Sequence, residues 1–341
     1  MPWERPLSGR LDRLTVDSEI LAGNPLGDPA RRPLYVYSSP AVVSGAATDV
    51  AAVYVLQGFV GQLDMWLARA PFEPTFVERL DAMFTGPEPP VRDAVVVFVD
   101  AWTSIGGSQF VNSSAVGDYA DYICEELVPF IDATYPTAPL PRQRALTGQS
   151  SGGYGAMVLA MRRPDIFGAL VSHAGDALFE ACYLTDFPKV ARALRDHFDG
   201  SLETFWRRFA ERERFDFARF GLVLNTYAMA CAYSPDPERP TRPQLPFEPS
   251  TGRLLPEVWE RWLEHDPVRM IPAHAQALRG LAHIHIAAGR GDEWYLDLGA
   301  QAVSEELERA GVEHRLELFD GAHGGLRYRY APAIRDLLAA L

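Results

Sequence analysis

Cysteine is scarce in this chain. Its 341 residues include three, Cys124, Cys182 and Cys231, far apart and odd in number. That excludes a disulfide framework, and no zinc-type spacing takes its place, so each thiol is expected as a small buried apolar group. No apolar run approaches the ~20 residues that a membrane-spanning helix needs. The start, Met-Pro-Trp-Glu-Arg-Pro, lacks the basic stretch and apolar core of an export signal, which makes the cytoplasm the expected location. Internal repeats and low-complexity tracts are also missing. Positive charge is in deficit: 32 Lys and Arg stand against 45 Asp and Glu, a net charge of −13. Nucleic acid and anionic membrane surfaces are therefore not expected as partners. What the chain does have is 48% hydrophobic and 23% charged residues, a globular composition able to support a large core in one or two domains.

Hydrophobic patterning gives the architecture. Residues 11–20 and 34–38 read as two short strands forming an antiparallel edge. Residues 51–56 and 95–99 are near-continuously apolar, as strands covered on both faces should be. Further strands are expected at 168–172, 282–288 and 314–319, and the apolar run 145–146 leads as a strand into the turn that follows it. Between them lie helical patterns at 74–84, 118–135, 154–161, 298–310 and 332–341. A glycine- and serine-rich loop is expected over 101–116. Alternating strand and helix predicts a mostly parallel central sheet with helices on both faces. The alternation lapses over 176–266, a stretch rich in Phe, Trp, Tyr and Arg. Helices are expected there at 188–198, 201–217 and 223–232, with a proline-rich segment at 234–256. Residues 176–266 thus read as a helical cap inserted into one domain whose core is 1–175 and 267–341.

The stretch that organises the chain is Leu146-Thr147-Gly148-Gln149-Ser150-Ser151-Gly152-Gly153. It contains G-x-S-x-G between a strand and a helix, the setting in which a serine hydroxyl is presented on a sharp turn. Ser150 is the expected nucleophile. Placing Ser151 in that role would put bulky Gln149 at the first glycine position. Ser151 then supplies a backbone N–H for a developing oxyanion. The second such donor is expected from the turn after residues 51–56, Gln57-Gly58-Phe59, with the N–H of Phe59 as the choice.

A serine hydroxyl needs a histidine base, and the histidine needs a carboxylate to fix its tautomer. Eight histidines are present. His283 and His285 fall inside a buried strand; their spacing suits a metal, but no third ligand is evident. His323 follows the last strand in a flexible loop, Asp320-Gly321-Ala322-His323-Gly324-Gly325, where a base can swing over the serine. The acid should follow the preceding parallel strand. Gly289-Arg290-Gly291-Asp292-Glu293 makes Asp292 the first choice, with Glu293 and Asp297 behind it and Asp176 as the alternative after an earlier strand. Trp102, Phe110, Phe179, Tyr183 and Trp206 are candidates for lining a substrate pocket.

These residues resemble the esterase D-type branch of the α/β-hydrolases, which includes S-formylglutathione hydrolases, feruloyl and enterochelin esterases and mycolyltransferases. The resemblance runs through Val55-Leu56-Gln57-Gly58, Val97-Phe98-Val99-Asp100, Glu126-Leu127-Val128-Pro129-Phe130-Ile131-Asp132 and the Ser150 turn. It continues through Arg163-Pro164-Asp165-Ile166-Phe167-Gly168, the Asp292 turn and Gly321-Ala322-His323. It implies an α/β-hydrolase fold, a triad of Ser150, Asp292 and His323, and oxyanion donors at Phe59 and Ser151. Gln57 departs from the histidine or aspartate common before that glycine. Ser151 replaces the commoner methionine or leucine, and the 176–266 stretch is longer than in compact members. The expected function is a serine carboxylesterase that needs neither metal nor organic cofactor. Its partner is a small-molecule ester with an apolar or aromatic part, and assembly into a homo-oligomer is left open. The alternatives are acyl transfer to another alcohol, thioester hydrolysis, and a non-catalytic binding protein on the same fold.

Overall fold

The computed structural model describes residues 4–239 and 241–341. Residues 1–3, at the start of the stretch read for an export signal, and Pro240, within the proline-rich segment, lie outside the described residues. An eight-stranded sheet forms the centre. Its strands are β1 (Arg10–Asp17), β2 (Arg31–Ser38), β3 (Ala51–Leu56), β4 (Ala94–Phe98), β5 (Arg144–Gln149), β6 (Ala169–His173), β7 (His283–Gly289) and β8 (Arg315–Phe319). Their spatial order is β1-β2-β4-β3-β5-β6-β7-β8. The first two strands pair antiparallel, and β2 pairs antiparallel with β4; every later pairing is parallel. The carboxyl ends of β3 to β8 therefore share one edge of the sheet, where α/β proteins place their sites.

Alternation along the strands divides the core into two layers. Ala52, Tyr54 and Leu56 of β3 face one cluster, while Ala51, Val53 and Val55 face the other. All six are buried, because parallel central strands are covered on both faces. The smaller layer holds Trp66, Phe76 and Tyr330 with their rings 5.2–5.4 Å apart. Edge-to-face and tilted packing of this kind adds to the gain from burial. The larger layer is continuous with the helices of 176–266: Phe187, Phe205 and Trp262 belong to the same cluster as Tyr54 and Leu146.

Several elements differ from the sequence reading. The helix expected from residue 74 is Phe76–Thr85. It starts at Thr75, whose hydroxyl and the Glu78 carboxylate form a capping box, so Pro74 lies outside it. The loop 101–116 carries two short ladders, Trp102–Thr103 with Gly106–Gly107 and Asn112–Ser113 with Gly117–Asp118. The helix expected over 201–217 ends at Ala210, and Phe217–Tyr233 forms a helix of its own. Two of the longer helices were unread. Pro256–Leu263 and Pro267–Arg279 both open on a proline, which is accommodated at the first helical position because its missing N–H has no partner there. The last helix is Arg327–Ala340 and encloses Pro332, which the sequence reading took as its start.

All three cysteines are free and buried. Among the described residues no helix is long and apolar enough to cross a membrane. No group of three or more metal-ligating side chains occurs among them either. His283 and His285 meet edge to face, with ring centroids 6.2 Å apart.

Candidate active site

Ser150 caps the helix Ser151–Arg162 with φ 59° and ψ −128°. A non-glycine residue held there is strained, and the surrounding packing must hold it in place. Its N–H donates to the His173 carbonyl (3.0 Å), and its carbonyl accepts from Tyr154 N–H (2.9 Å). The flanking glycines are demanded by crowding. A Cβ on Gly148 would lie 2.4 Å from the Gly152 carbonyl, and a Cβ on Gly152 would lie 2.3 Å from the Leu56 carbonyl. The turn thus fits between β3 and its own helix only without those side chains.

His323 lies in the loop after β8, and Asp292 lies in the turn after β7. The imidazole Nδ1 is 2.8 Å from the Asp292 carboxylate. That carboxylate is fully shielded, and its other oxygen accepts from Trp294 N–H at 2.9 Å. A proton on Nδ1 satisfies the carboxylate and leaves Nε2 free as an acceptor. Burial lowers the His323 pKa, but the hydrogen bond and charge of Asp292, with the charges of Asp176 and Glu293, outweigh it. The net effect raises the pKa above the ordinary value of 6.5.

Two hydrogen bonds hold the backbone of His323 in the loop that the sequence reading took as flexible. Glu293, second choice as the acid, accepts from His323 N–H at 2.9 Å. Gln149 donates from its amide to the His323 carbonyl at 2.5 Å. The residue before the serine therefore ties the serine turn to the histidine loop, a role the sequence reading missed. Its only signal was a polar amide at the last position of the strand, directly before the serine. Asp297 sits in the first turn of the helix Leu296–Arg309. Asp176 takes no part in the imidazole pair; it accepts from Tyr183 and Gln109.

Ser150, Ser151, Gly58, Phe59 and His323 all line one cavity of about 580 Å³. A Cβ on Gly58 would sit 3.5 Å from the Ser150 Cβ, an ordinary contact, so crowding does not force that glycine. The glycine that Phe59 requires is Gly106, where a Cβ would meet its ring at 2.5 Å. Gln57 is buried below this turn. With its amide oriented to satisfy both ends, it donates to the Val99 carbonyl and accepts from the N–H groups of Ala101 and Trp102, at 2.5–3.0 Å. It thereby braces the β3 turn against the turn after β4, where Asp100 pairs with the buried Arg32.

Of the aromatics expected to line a substrate pocket, only Tyr183 lines this cavity. Phe110 packs on Gly155 instead, and Trp206 stacks on Tyr227 with centroids 5.2 Å apart. The walls come from Trp66, Trp294 and Tyr330, and from Phe217, Leu222 and Asn225 of the helix Phe217–Tyr233. The 176–266 stretch therefore forms part of the cavity wall.

A strained serine after β5 and a His–Asp pair after the last two strands of a mostly parallel, doubly covered sheet define the α/β-hydrolase fold. Comparison with known proteins agrees. The family model described as "Putative esterase" matches residues 91–333. The chain belongs to this family and is an ester-hydrolysing enzyme. Solved structures with the same fold include a ferulic acid esterase (16% identity, 98% of each chain covered, TM-score 0.57). An S-formylglutathione hydrolase from Agrobacterium tumefaciens shows 15% identity, covers 99% of this chain and 98% of its own, and has a TM-score of 0.53. The fluorophosphonate-binding serine hydrolase FphF of Staphylococcus aureus shows 16% identity, 97% coverage of each chain and a TM-score of 0.54. No curated protein matches the chain.

Proposed function

We propose that this enzyme is a serine carboxylesterase acting through an acyl-enzyme intermediate. The observation that carries the reading is the His323–Asp292 pair, opening on the same cavity as a serine held in a strained turn. Ser150 Oγ attacks the ester carbonyl while His323 Nε2 takes its proton. The resulting oxyanion is held by the N–H groups of Phe59 and Ser151, of which Ser151 stands at a helix N-terminus where backbone donors have no helical partner. The tetrahedral intermediate collapses, and the protonated imidazole gives its proton to the departing alcohol. Water, activated by the same base, then releases the acid and restores Ser150. Asp292 holds the imidazole in the required tautomer and stabilises its charged form.

The substrate is a small-molecule ester with an apolar or aromatic part, in keeping with the walls formed by Trp66, Phe217, Leu222 and Trp294. Incubation with a fluorophosphonate, followed by peptide mass mapping, tests the nucleophile. The adduct should fall on Ser150, and S150A should neither label nor hydrolyse chromogenic esters. A folded wild type that leaves Ser150 unmodified overturns the reading. Added acceptor alcohols should not raise turnover; if water alone gave almost none and alcohols restored it, the enzyme would be an acyltransferase.

A further inference from the structure

A carboxylate other than the Asp292 partner of His323 lines the cavity, that of Asp176, and it makes or breaks no bond in the proposed reaction. Asp176 follows β6 by three residues, so it stands at the sheet edge beside Ser150, which follows β5. Phe59 follows β3, on the other side of β5. A substrate seated on Ser150 therefore lies between the Phe59 turn on one side and Asp176 on the other.

Asp176 is only 7% exposed, and no ion pair joins it to any described residue. A buried carboxylate without a cation is costly, so its position needs a reason. One oxygen, Oδ2, is already engaged: Tyr183 donates to it at 2.7 Å and Gln109 at 3.2 Å. Oδ1 receives no hydrogen bond from any described residue. The arrangement is rigid. Gln109 and the next residue, Phe110, are both held at positive φ, 56° and 55°. Gln109 also donates to Tyr233 at 3.1 Å. The loop beyond Asp176 is tied down by Asp266, which accepts from Leu178 N–H at 3.0 Å and Phe179 N–H at 2.8 Å. Gly175 packs against Gly153 closely enough that a Cβ on Gly153 would lie 2.8 Å from its Cα. An acceptor held this firmly, with one oxygen left over in a largely apolar cavity, is built to select a donor.

We propose that Asp176 is a specificity-determining residue whose free oxygen accepts a hydrogen bond from a hydroxyl or protonated amine of the substrate. The enzyme then prefers esters carrying such a donor over otherwise identical apolar ones. This rests on the esterase reading above.

The test is a matched panel of chromogenic esters. Each parent alkanoate is compared with analogues bearing a hydroxyl or an amine at successive positions of the acyl chain and of the alcohol. At least one donor-bearing ester should exceed its parent in kcat/KM by roughly tenfold or more, as for a hydrogen bond to a charged group. D176L should bring that ratio to about one, and D176N, which keeps an acceptor but not the charge, to an intermediate value. The ratio is the readout because a merely structural role would lower all substrates together. Whether hydroxyl or amine gives the larger ratio identifies the donor. If D176L fails to fold, D176N reads the same ratio. The proposal is overturned if no donor-bearing ester is preferred, or if the variants scale every substrate alike while Ser150 still takes up fluorophosphonate. Absence of labelling and of all ester turnover overturns the esterase reading, and this proposal with it.

Discussion

The imidazole of His323 and the carboxylate of Asp292 meet at 2.8 Å across a sequence gap of 31 residues. They do so because β7 and β8 are adjacent, parallel and in register from His285 with Arg315 to Gly289 with Phe319. Their carboxyl ends then release two turns side by side. Gly289 makes the closeness possible, since a Cβ there would lie 2.5 Å from the Gly321 carbonyl.

Replacing Asp292 by Asn should preserve the shape of this contact but reverse its hydrogen-bonding sense. The imidazole would then hold its proton on Nε2, the nitrogen proposed to accept the Ser150 proton. A loss of kcat on the order of 10⁴-fold is expected, with KM little changed. Steady-state kinetics on a chromogenic ester checks it.

Acid should silence the enzyme above the ordinary histidine range. The base must be neutral to accept the serine proton, and the His323 pKa is raised from 6.5. The kcat/KM profile should therefore climb with pH through a midpoint above 6.5. E293Q removes one of the charges that raise it, so its midpoint should fall; an unchanged midpoint would show that Glu293 acts only on the backbone.

Gly152→Ala should damage both stability and activity. The added methyl meets the Leu56 carbonyl at 2.3 Å. Backbone on both sides cannot yield without moving β3 or the Ser150 turn, so a loss of ~1–3 kcal/mol is expected. Urea denaturation of the variant measures it, and fluorophosphonate labelling rates report the displaced serine.

His173 should contribute to acid unfolding. It is 1% exposed, and neither ring nitrogen has a partner among the described residues. Burial, with the charges of His285 and Arg329, lowers its pKa from 6.5 to about 3. The unfolded chain therefore binds a proton that the folded chain refuses, and stability falls as pH drops from 6.5 toward 3. H173F should show a shallower loss of urea midpoint than the wild type across that window. Equal slopes would assign the acid sensitivity elsewhere.

Leu222→Trp should narrow the substrate range. Leu222 stands on the helix Phe217–Tyr233 and faces the cavity of about 580 Å³. Filling part of that space should reduce kcat/KM for long or aromatic acyl chains by roughly tenfold, while short acyl esters are spared. A chain-length series gives the result directly.

Much of this molecule was legible in its residues. Local rules suffice for an apolar run such as Val95-Val96-Val97-Phe98, which can only be a covered strand. They suffice also for Gly148 and Gly152, whose missing side chains announce a turn too tight for them. They fell short where proline and chain entry had to be weighed together. Pro267 and Pro272 hid a 13-residue helix that Asp266 caps.

Assignments that depend on distant neighbours were out of reach. Asp292 was the first choice and Glu293 the second, but nothing in the residues showed that the second would accept from the His323 backbone N–H instead of meeting the imidazole. The cavity walls were equally hidden, because a Trp reads the same whether it packs fully inward, like Trp262, or onto a pocket, like Trp294. Periodicity and steric exclusion act over a few residues and are written in the chain. The partner a side chain finds is set by strand order and by which elements pack across it, and those relations exist only once the sheet has closed around them.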